Sequence, residues 1–336
     1  MREPTFWYRP PSWMSRLLLP FGAIYGAITA RRMARKGAVA GIPAFCIGNY
    51  HVGGAGKTPT TLALSKILRE MGEQPFVVSR GYGGSLEGPV RVDTSAHTAI
   101  DVGDEPLMMA SQVPVVVSRD RAAGAKLARE QGASVILLDD GFQNPSLAKD
   151  ASLIVVDSGR GLGNGCVFPA GPLRAPLTPQ IERTDALIVV GEGHAADGVA
   201  QHLRARGKAV LHATIRPDPG SVAALSGKRV LAFAGIGDPA RFFATLRKSG
   251  VIVVEARSFN DHHPYAISDV EQLAAAAQAK SLTMVTTEKD MTRLRSNANL
   301  TTRARNVMAF AVSLDFDDGE TFRRFVAERL AQARRK

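Results

Sequence analysis

The sequence predicts a doubly wound α/β protein: a mostly parallel sheet, a second and smaller α/β domain behind it, and an interfacial helix in front. Three observations predict this. Short apolar runs alternate with helical patterns along most of the chain. A glycine-rich turn ending in Gly56-Lys57-Thr58 joins one such run to a helix. Another run ends in an acidic pair, Asp139-Asp140.

The 336 residues are more than one core usually fills, and 45% hydrophobic with 22% charged residues is a globular composition. Cys46 and Cys166 stand far apart with no metal-ligand spacing, so no disulfide framework is expected and the compartment reads as reducing. The formal charge of +11 calls for an acidic partner.

That charge is concentrated at the front. Residues 1–37 hold Arg2, Arg9, Arg16, Arg31, Arg32, Arg35 and Lys36 against one acid, Glu3, a net +6. Both tryptophans, Trp7 and Trp13, lie here beside Leu17-Leu18-Leu19-Pro20-Phe21. Aromatic, apolar and cationic residues together suit a membrane interface. The uncharged stretch Leu17 to Ala30 has 14 residues, too few to span a bilayer, which takes about 20. The polar and aromatic lead before it disfavours a signal peptide. The expectation is an interfacial helix with Arg31 to Lys36 near lipid phosphates, against the alternative of an ordinary first helix packed on the core.

The second element is the phosphate loop. Ala44-Phe45-Cys46-Ile47 reads as a buried strand and Pro59 to Met71 as a helix, which places Asn49, His51, Val52, Gly53, Gly54, Ala55, Gly56, Lys57 and Thr58 on the turn between them. Glycines let backbone N–H groups approach an anion, and the helix start adds free donors and the positive dipole end. Lys57 would reach the β- and γ-phosphates of ATP, and the Thr58 hydroxyl would ligate Mg²⁺. His51 stands where the common spacing of a P-loop asks for Gly. Backbone donors make that departure harmless.

Next come Pro75 to Ser79, a strand, and the turn Arg80-Gly81-Tyr82-Gly83-Gly84, where Arg80 is a candidate phosphate contact. A helix is expected over Leu107 to Ser111. Asp104 before it reads on its own as a helix cap and Glu105 as a first-turn acid. Val113 to Val117 is a strand and Arg119 to Gln131 a helix, with Arg119 and Arg121 at its mouth as phosphate candidates. Ser134 to Leu138 running into Asp139-Asp140 reads as a Walker B element, one carboxylate of which would hold Mg²⁺. Ligands collect at the carboxyl ends of parallel strands, where this pair and the loop meet. Leu153 to Asp157 and Ala186 to Val190 add strands, with a Gly- and Pro-rich substrate-side loop, Gly159 to Arg174, between them.

Ile215 to Ser226 reads as the passage to a second domain. Strands follow at Arg229 to Ala234, Ile252 to Val254, Thr283 to Thr287 and Asn306 to Val312, with helices at Ala240 to Lys248 and Glu320 to Arg335. The turn Gly235-Ile236-Gly237-Asp238-Pro239 reads as a strand–helix connection. His262 and His263 are adjacent on an extended chain and point apart, so one metal does not take both. The domain boundaries are thus 1–37, 38–214 and 215–336.

Eight stretches in one order resemble the tetraacyldisaccharide 4′-kinase family of lipid A biosynthesis. They are I-G-N-Y-H-V-G-G-A-G-K-T-P (47–59), S-R-G-Y-G-G (79–84), V-G-D-E-P (102–106), D-D-G-F-Q (139–143), G-L-G-N-G (161–165), P-A-G-P-L-R (169–174), F-N-D-H-H (259–263) and T-E-K-D (287–290). The resemblance implies a P-loop NTPase-like core and transfer of the ATP γ-phosphoryl group to the 4′-hydroxyl of a tetraacylated glucosamine disaccharide 1-phosphate. It also implies a peripheral position on the cytoplasmic face of the bacterial inner membrane. The basic charge then answers to an anionic glycolipid and a membrane surface, not to nucleic acid, and no obligate protein partner is expected. By the resemblance Asp104 is the general base and His262 assists it. Glu105, Asp139 and Asp140 serve Mg²⁺, and Asn49, Gln143 and Arg174 contact phosphate or substrate. The rival from another class is a nucleotide-driven membrane switch, which has no use for a second base across a cleft.

Overall fold

A computed structural model describes residues 3–335, so Arg2 lies outside the described residues. Thirteen strands are seen among them: β1 (Ala44–Gly48), β2 (Pro75–Ser79), β3 (Val90–Arg91), β4 (Val115–Val117), β5 (Val135–Asp139), β6 (Ala151–Asp157), β7 (Ala186–Val190), β8 (Ala209–Pro217), β9 (Arg229–Ala234), β10 (Ile252–Ser258), β11 (Thr283–Thr287), β12 (Val307–Phe310) and β13 (Val312–Phe316). Nine form one sheet in the order β13-β8-β7-β6-β1-β5-β2-β4-β3, and four form a second, β10-β9-β11-β12. The second sheet is wholly parallel. In the first, only the edge strands β13 and β3 run antiparallel.

The burial pattern explains why the central strands are apolar throughout. Phe45 and Ile47 of β1 enter one core with Leu137, Leu153 and Val155, while Ala44 and Cys46 enter the opposite core with Ile136, Leu138 and Ile154. A parallel sheet covered by helices on both faces needs apolar residues at every position, not at alternate ones. Helix Lys57–Glu70 supplies Leu64 and Leu68 to the first core, and helix Gly319–Ala333 supplies Phe322 and Val326. Because β1 lies between β5 and β6, with Ile47 opposite Asp139, the phosphate loop and the acidic pair emerge side by side.

Several elements depart from expectation. Residues 209–217 form a strand, β8, in the first sheet, where 215–226 was expected to be a linker; that linker is the end of β8 and the helix Pro219–Leu225. The single run Asn306 to Val312 is two strands, because the chain leaves the second sheet at Ala311 and rejoins the first as β13. Within the expected span 215–336, therefore, β13 and the final helix pack with the first sheet. The helix expected at Leu107 begins at Asp104, and Gly103, not Asp104, is its cap.

At the front, helix Trp13–Met33 turns its small and polar residues inward. Ser15, Gly22, Gly26, Thr29 and Met33 are buried, whereas Trp13, Leu17, Phe21, Ile24 and Ile28 are each more than 60% exposed. Gly22 lies against the backbone of Val167 and Gly26 against Pro176, an approach that larger side chains would block. No helix among the described residues is long and apolar enough to cross a membrane.

Candidate active site

The loop after β1 turns on glycines in the left-handed region: Gly53 at φ +104 and Gly56 at φ +91, the latter opening helix Lys57–Glu70. Its walls are polar and buried. Asn49 donates from Nδ2 to the carbonyl of Gly53 at 3.0 Å, and Gln143 donates to the carbonyl of Asn49 at 2.7 Å and to Gln180 Oε1 at 2.9 Å. Gln143 thus shapes the loop from behind. Val52 joins the loop to the Gly/Pro-rich segment through its N–H to the carbonyl of Pro172, 2.9 Å. Ala55 is buried, and Gly54 has open space where a Cβ would stand. His51 is buried with Nδ1 at 2.8 Å from the carbonyl of Val52, and burial pushes its pKa down to about 4, so the ring is neutral.

Lys57 Nζ lies 3.8 Å from Asp140 Oδ1. Arg174 grips both oxygens of Asp140 from Nη1 at 3.0 Å and donates from Nε to the carbonyl of His51 at 3.1 Å. Arg121 is buried and donates to the backbone carbonyls of Val78 and Asp140, so it braces the acidic turn. Asp140 itself has φ +49, a conformation these three cations hold in place. Burial opposes its charge, but Lys57, Arg174 and Arg121 outweigh that and keep its pKa below the usual carboxylate range. Asp139 is the contrast. Burial raises its pKa, and the charges of Glu105 and Asp140 raise it further. Its Oδ2 accepts the Ser79 hydroxyl at 3.1 Å, while Oδ1 is buried with no hydrogen-bond partner among the described residues.

Opposite the loop, helix Asp104–Ala110 meets helix Glu288–Arg295, carried by the second sheet. Gly103 makes the approach possible: a Cβ there would stand 2.6 Å from the carbonyl of Tyr82, so the S-R-G-Y-G-G and V-G-D-E-P turns can touch only through glycine. Asp104 is 6% exposed. His262, at φ +56, places Nδ1 3.0 Å from Asp104 Oδ2, and Arg293 donates to the same oxygen from Nε at 2.7 Å. Lys289 reaches Glu105 Oε1 at 2.9 Å and His262 Nε2 at 3.4 Å. Burial opposes the charge on Asp104, yet the His262 hydrogen bond with Lys289 and Arg293 holds its pKa far below the ordinary value. Glu105 is held down, against burial, chiefly by Lys289 and then by Lys57. That shared influence of Lys57 puts the two halves in one electrostatic site. His263 turns elsewhere, to Asp269 at 2.8 Å.

Two candidates fall outside this gathering. Arg119 is paired with Glu87 in an exposed position, and Arg80 is exposed at the end of β2. Sequence reasoning put Glu288-Lys289-Asp290 in a loop near the cleft without a role, where the structure has the start of helix Glu288–Arg295, and it left out Arg293. The spacing of four between Lys289 and Arg293 puts them on one face, but only the docking of that helix against Asp104 makes the face matter.

For Mg²⁺ the fit is open-handed. Among the described residues no three His, Cys, Asp or Glu side chains form a closed cage. Mg²⁺ keeps water and phosphate oxygens and takes one or two carboxylates, so Oδ1 of Asp139, unpartnered among the described residues and within the field of the Glu105 charge, suits it. Asp140, fully engaged by cations, suits a water-mediated role.

The family model described as tetraacyldisaccharide-1-P 4′-kinase matches residues 14–331. A tetraacyldisaccharide 4′-kinase of Rhodopseudomonas palustris (strain HaA2) is 61% identical over 336 residues, covering 100% of this chain and 99% of its own. One of Nitrobacter winogradskyi is 62% identical over 335 residues with the same coverage. Among solved structures, the "apo" form of LpxK from Aquifex aeolicus in complex with ATP is 26% identical, covers 94% of this chain and 99% of its own, and superposes with a TM-score of 0.72.

Proposed function

We infer how this site works from one premise: the chain belongs to the tetraacyldisaccharide-1-P 4′-kinase family. It is an ATP-dependent kinase that phosphorylates the 4′-hydroxyl of a tetraacylated disaccharide 1-phosphate in lipid A biosynthesis.

In our reading the loop 49–58 cradles the phosphates with backbone donors, and Lys57 moves from Asp140 toward the β- and γ-phosphates. Mg²⁺, when bound through Thr58, Asp139 and Glu105, neutralises phosphate charge. Arg174 keeps Asp140 in register beside Lys57. As the sugar oxygen bonds to the γ-phosphorus and the bond to the ADP oxygen breaks, the hydroxyl proton passes to Asp104. A carboxylate so strongly stabilised is a weak base. Phosphoryl transfer through a loose transition state asks it mainly to orient the nucleophile and accept a late proton. His262 donates its Nδ1–H to Asp104, while the Lys289 ammonium at Nε2 favours that neutral tautomer. The observation that carries this reading is the His262–Asp104 hydrogen bond, made between the turn that follows β10 of the second sheet and a helix inserted between strands of the first.

The smaller sheet and its helices act as the unit that closes the cleft. The front helix lies in the interface at the cytoplasmic face of the inner membrane, with Trp13, Leu17, Phe21, Ile24 and Ile28 in the acyl boundary and Arg31 and Arg32 at anionic headgroups. Its inward-facing glycines and outward-facing apolar residues support this, since a helix made for water carries the reverse pattern. Replacing His262 by Ala and following label from γ-labelled ATP into the lipid tests the dyad. Turnover should fall roughly 10²-fold with ATP affinity unchanged. Normal turnover removes His262 from the reaction, and free phosphate with no labelled lipid favours the switch reading.

A further inference from the structure

The two oxygens of Asp104 are not equivalent. Oδ2 carries His262 Nδ1 at 3.0 Å and Arg293 Nε at 2.7 Å, with Arg293 Nη2 at 2.6 Å in ion-pair contact though outside hydrogen-bond alignment. Lys289 Nζ adds its charge at 4.0 Å. Oδ1 accepts the backbone N–H of Glu105 at 2.8 Å. A carboxylate oxygen has two acceptor positions. Among the described residues, then, Oδ2 is crowded and Oδ1 has room for one more proton.

Arg293 fixes this asymmetry. Its side chain is 8% exposed and is itself held from behind, with Nη1 donating to the carbonyl of Gly235 and to Asp290 Oδ1, both at 2.7 Å. Asp290 is fully buried and further accepts from Tyr265 Oη at 3.0 Å, Thr287 Oγ1 at 2.7 Å and the N–H of Gly235 at 3.1 Å. A guanidinium is a rigid planar fork, so an anchor at one edge sets the direction of the other. The anchor lies on the helix that follows β11 of the second sheet, and the carboxylate on a helix between β3 and β4 of the first.

We propose that Arg293 is a positioning residue for phosphoryl transfer: it fastens Oδ2 of Asp104 and thereby presents Oδ1 to the incoming sugar hydroxyl. The proposal rests on the reading of Asp104 as proton acceptor. It also makes the second sheet a supplier of part of the catalytic geometry, not only a cover. The plain alternative is that Arg293 merely ties the two sheets together.

Steady-state kinetics with ATP and the tetraacylated disaccharide 1-phosphate separate the two. Arg293→Ala should lower kcat on the order of 10²-fold, the size of effect that a small misplacement of a reacting group produces, with KM for ATP within about twofold. Free guanidinium added to Arg293→Ala should restore several-fold activity. Arg293→Lys keeps the buried charge but not the fork and should fold normally with kcat roughly 10-fold down. In an Asp104→Ala background, Arg293→Ala should add little further loss, because both act through one group. A full second loss in that background, or normal kcat in Arg293→Lys with no guanidinium rescue of Arg293→Ala, overturns the proposal and leaves Arg293 a structural tie. Near-normal turnover of Asp104→Ala alone instead overturns the reading on which it rests.

Discussion

Asp290→Ala is the substitution whose size is most directly worked from contacts. Asp290 is fully buried and takes hydrogen bonds from Gly235, Tyr265, Thr287 and Arg293. Removing the carboxylate strands the hydroxyl of Tyr265 and the N–H of Gly235, and takes away one of two anions on a buried guanidinium. Breaking a buried ion pair by deleting one partner costs about 3–5 kcal/mol. Arg293 keeps Asp104 and the carbonyl of Gly235, so the lower end, about 3 kcal/mol, applies. At roughly 2–4 °C per kcal/mol for chains of this class, Tm should fall by about 6–12 °C. Asn at the same place keeps acceptor and shape and should lose less. Differential scanning calorimetry reads both, and a fall below about 2 °C for Asp290→Ala would show that the network around Arg293 carries no such weight.

Lys57→Ala and Thr58→Ala should each abolish most transfer, on the order of 10³-fold, with Tm unchanged; substantial turnover in kinetic assays would remove the loop from the phosphate site. Replacing Leu17, Phe21, Ile24 and Ile28 together by serine should release the protein from anionic vesicles in a flotation assay while leaving Tm nearly intact, because these four side chains are mostly exposed. Unchanged flotation would move membrane attachment elsewhere. His51 gives a pH signature. Its folded pKa, about 4, lies below the unfolded value, so the unfolded chain binds the extra proton between about pH 6.5 and 4. Its contribution, at most about 3 kcal/mol, is present above pH 6.5 and is lost as pH falls through that window. Urea unfolding of His51→Asn should show a shallower loss there; identical slopes would refute the assignment.

The loop at Gly53 to Thr58 was legible because its chemistry is local: a buried strand, glycines and a helix start lie next to one another in the chain. Asp139-Asp140 was legible for the same reason, although the division of labour was not. That one carboxylate is wrapped by Lys57, Arg174 and Arg121 while the other keeps an oxygen with no partner among the described residues depends on residues 19 to 83 positions away. Asp104 in isolation reads as a cap and became a candidate only through the family pattern, since its partners His262 and Arg293 are 158 and 189 residues distant. Arg119 went in the opposite direction: a cation expected to open a helix reads as a phosphate contact, but it is exposed and paired with Glu87. β8 was missed because an edge-side strand with His212 and Thr214 lacks the uniform apolar run of the central strands. The break at Ala311 was missed because a chain that changes sheets keeps its extended, apolar character on both sides.

Single-turnover transfer by Asp104→Ala, measured beside the equilibrium affinity for ATP, bears most directly on the account. A carboxylate that takes the sugar proton but touches no part of the nucleotide predicts a chemical step slowed at least about 10²-fold, with ATP bound as tightly as in the parent protein. A normal chemical step, or a defect confined to ATP binding, would contradict it.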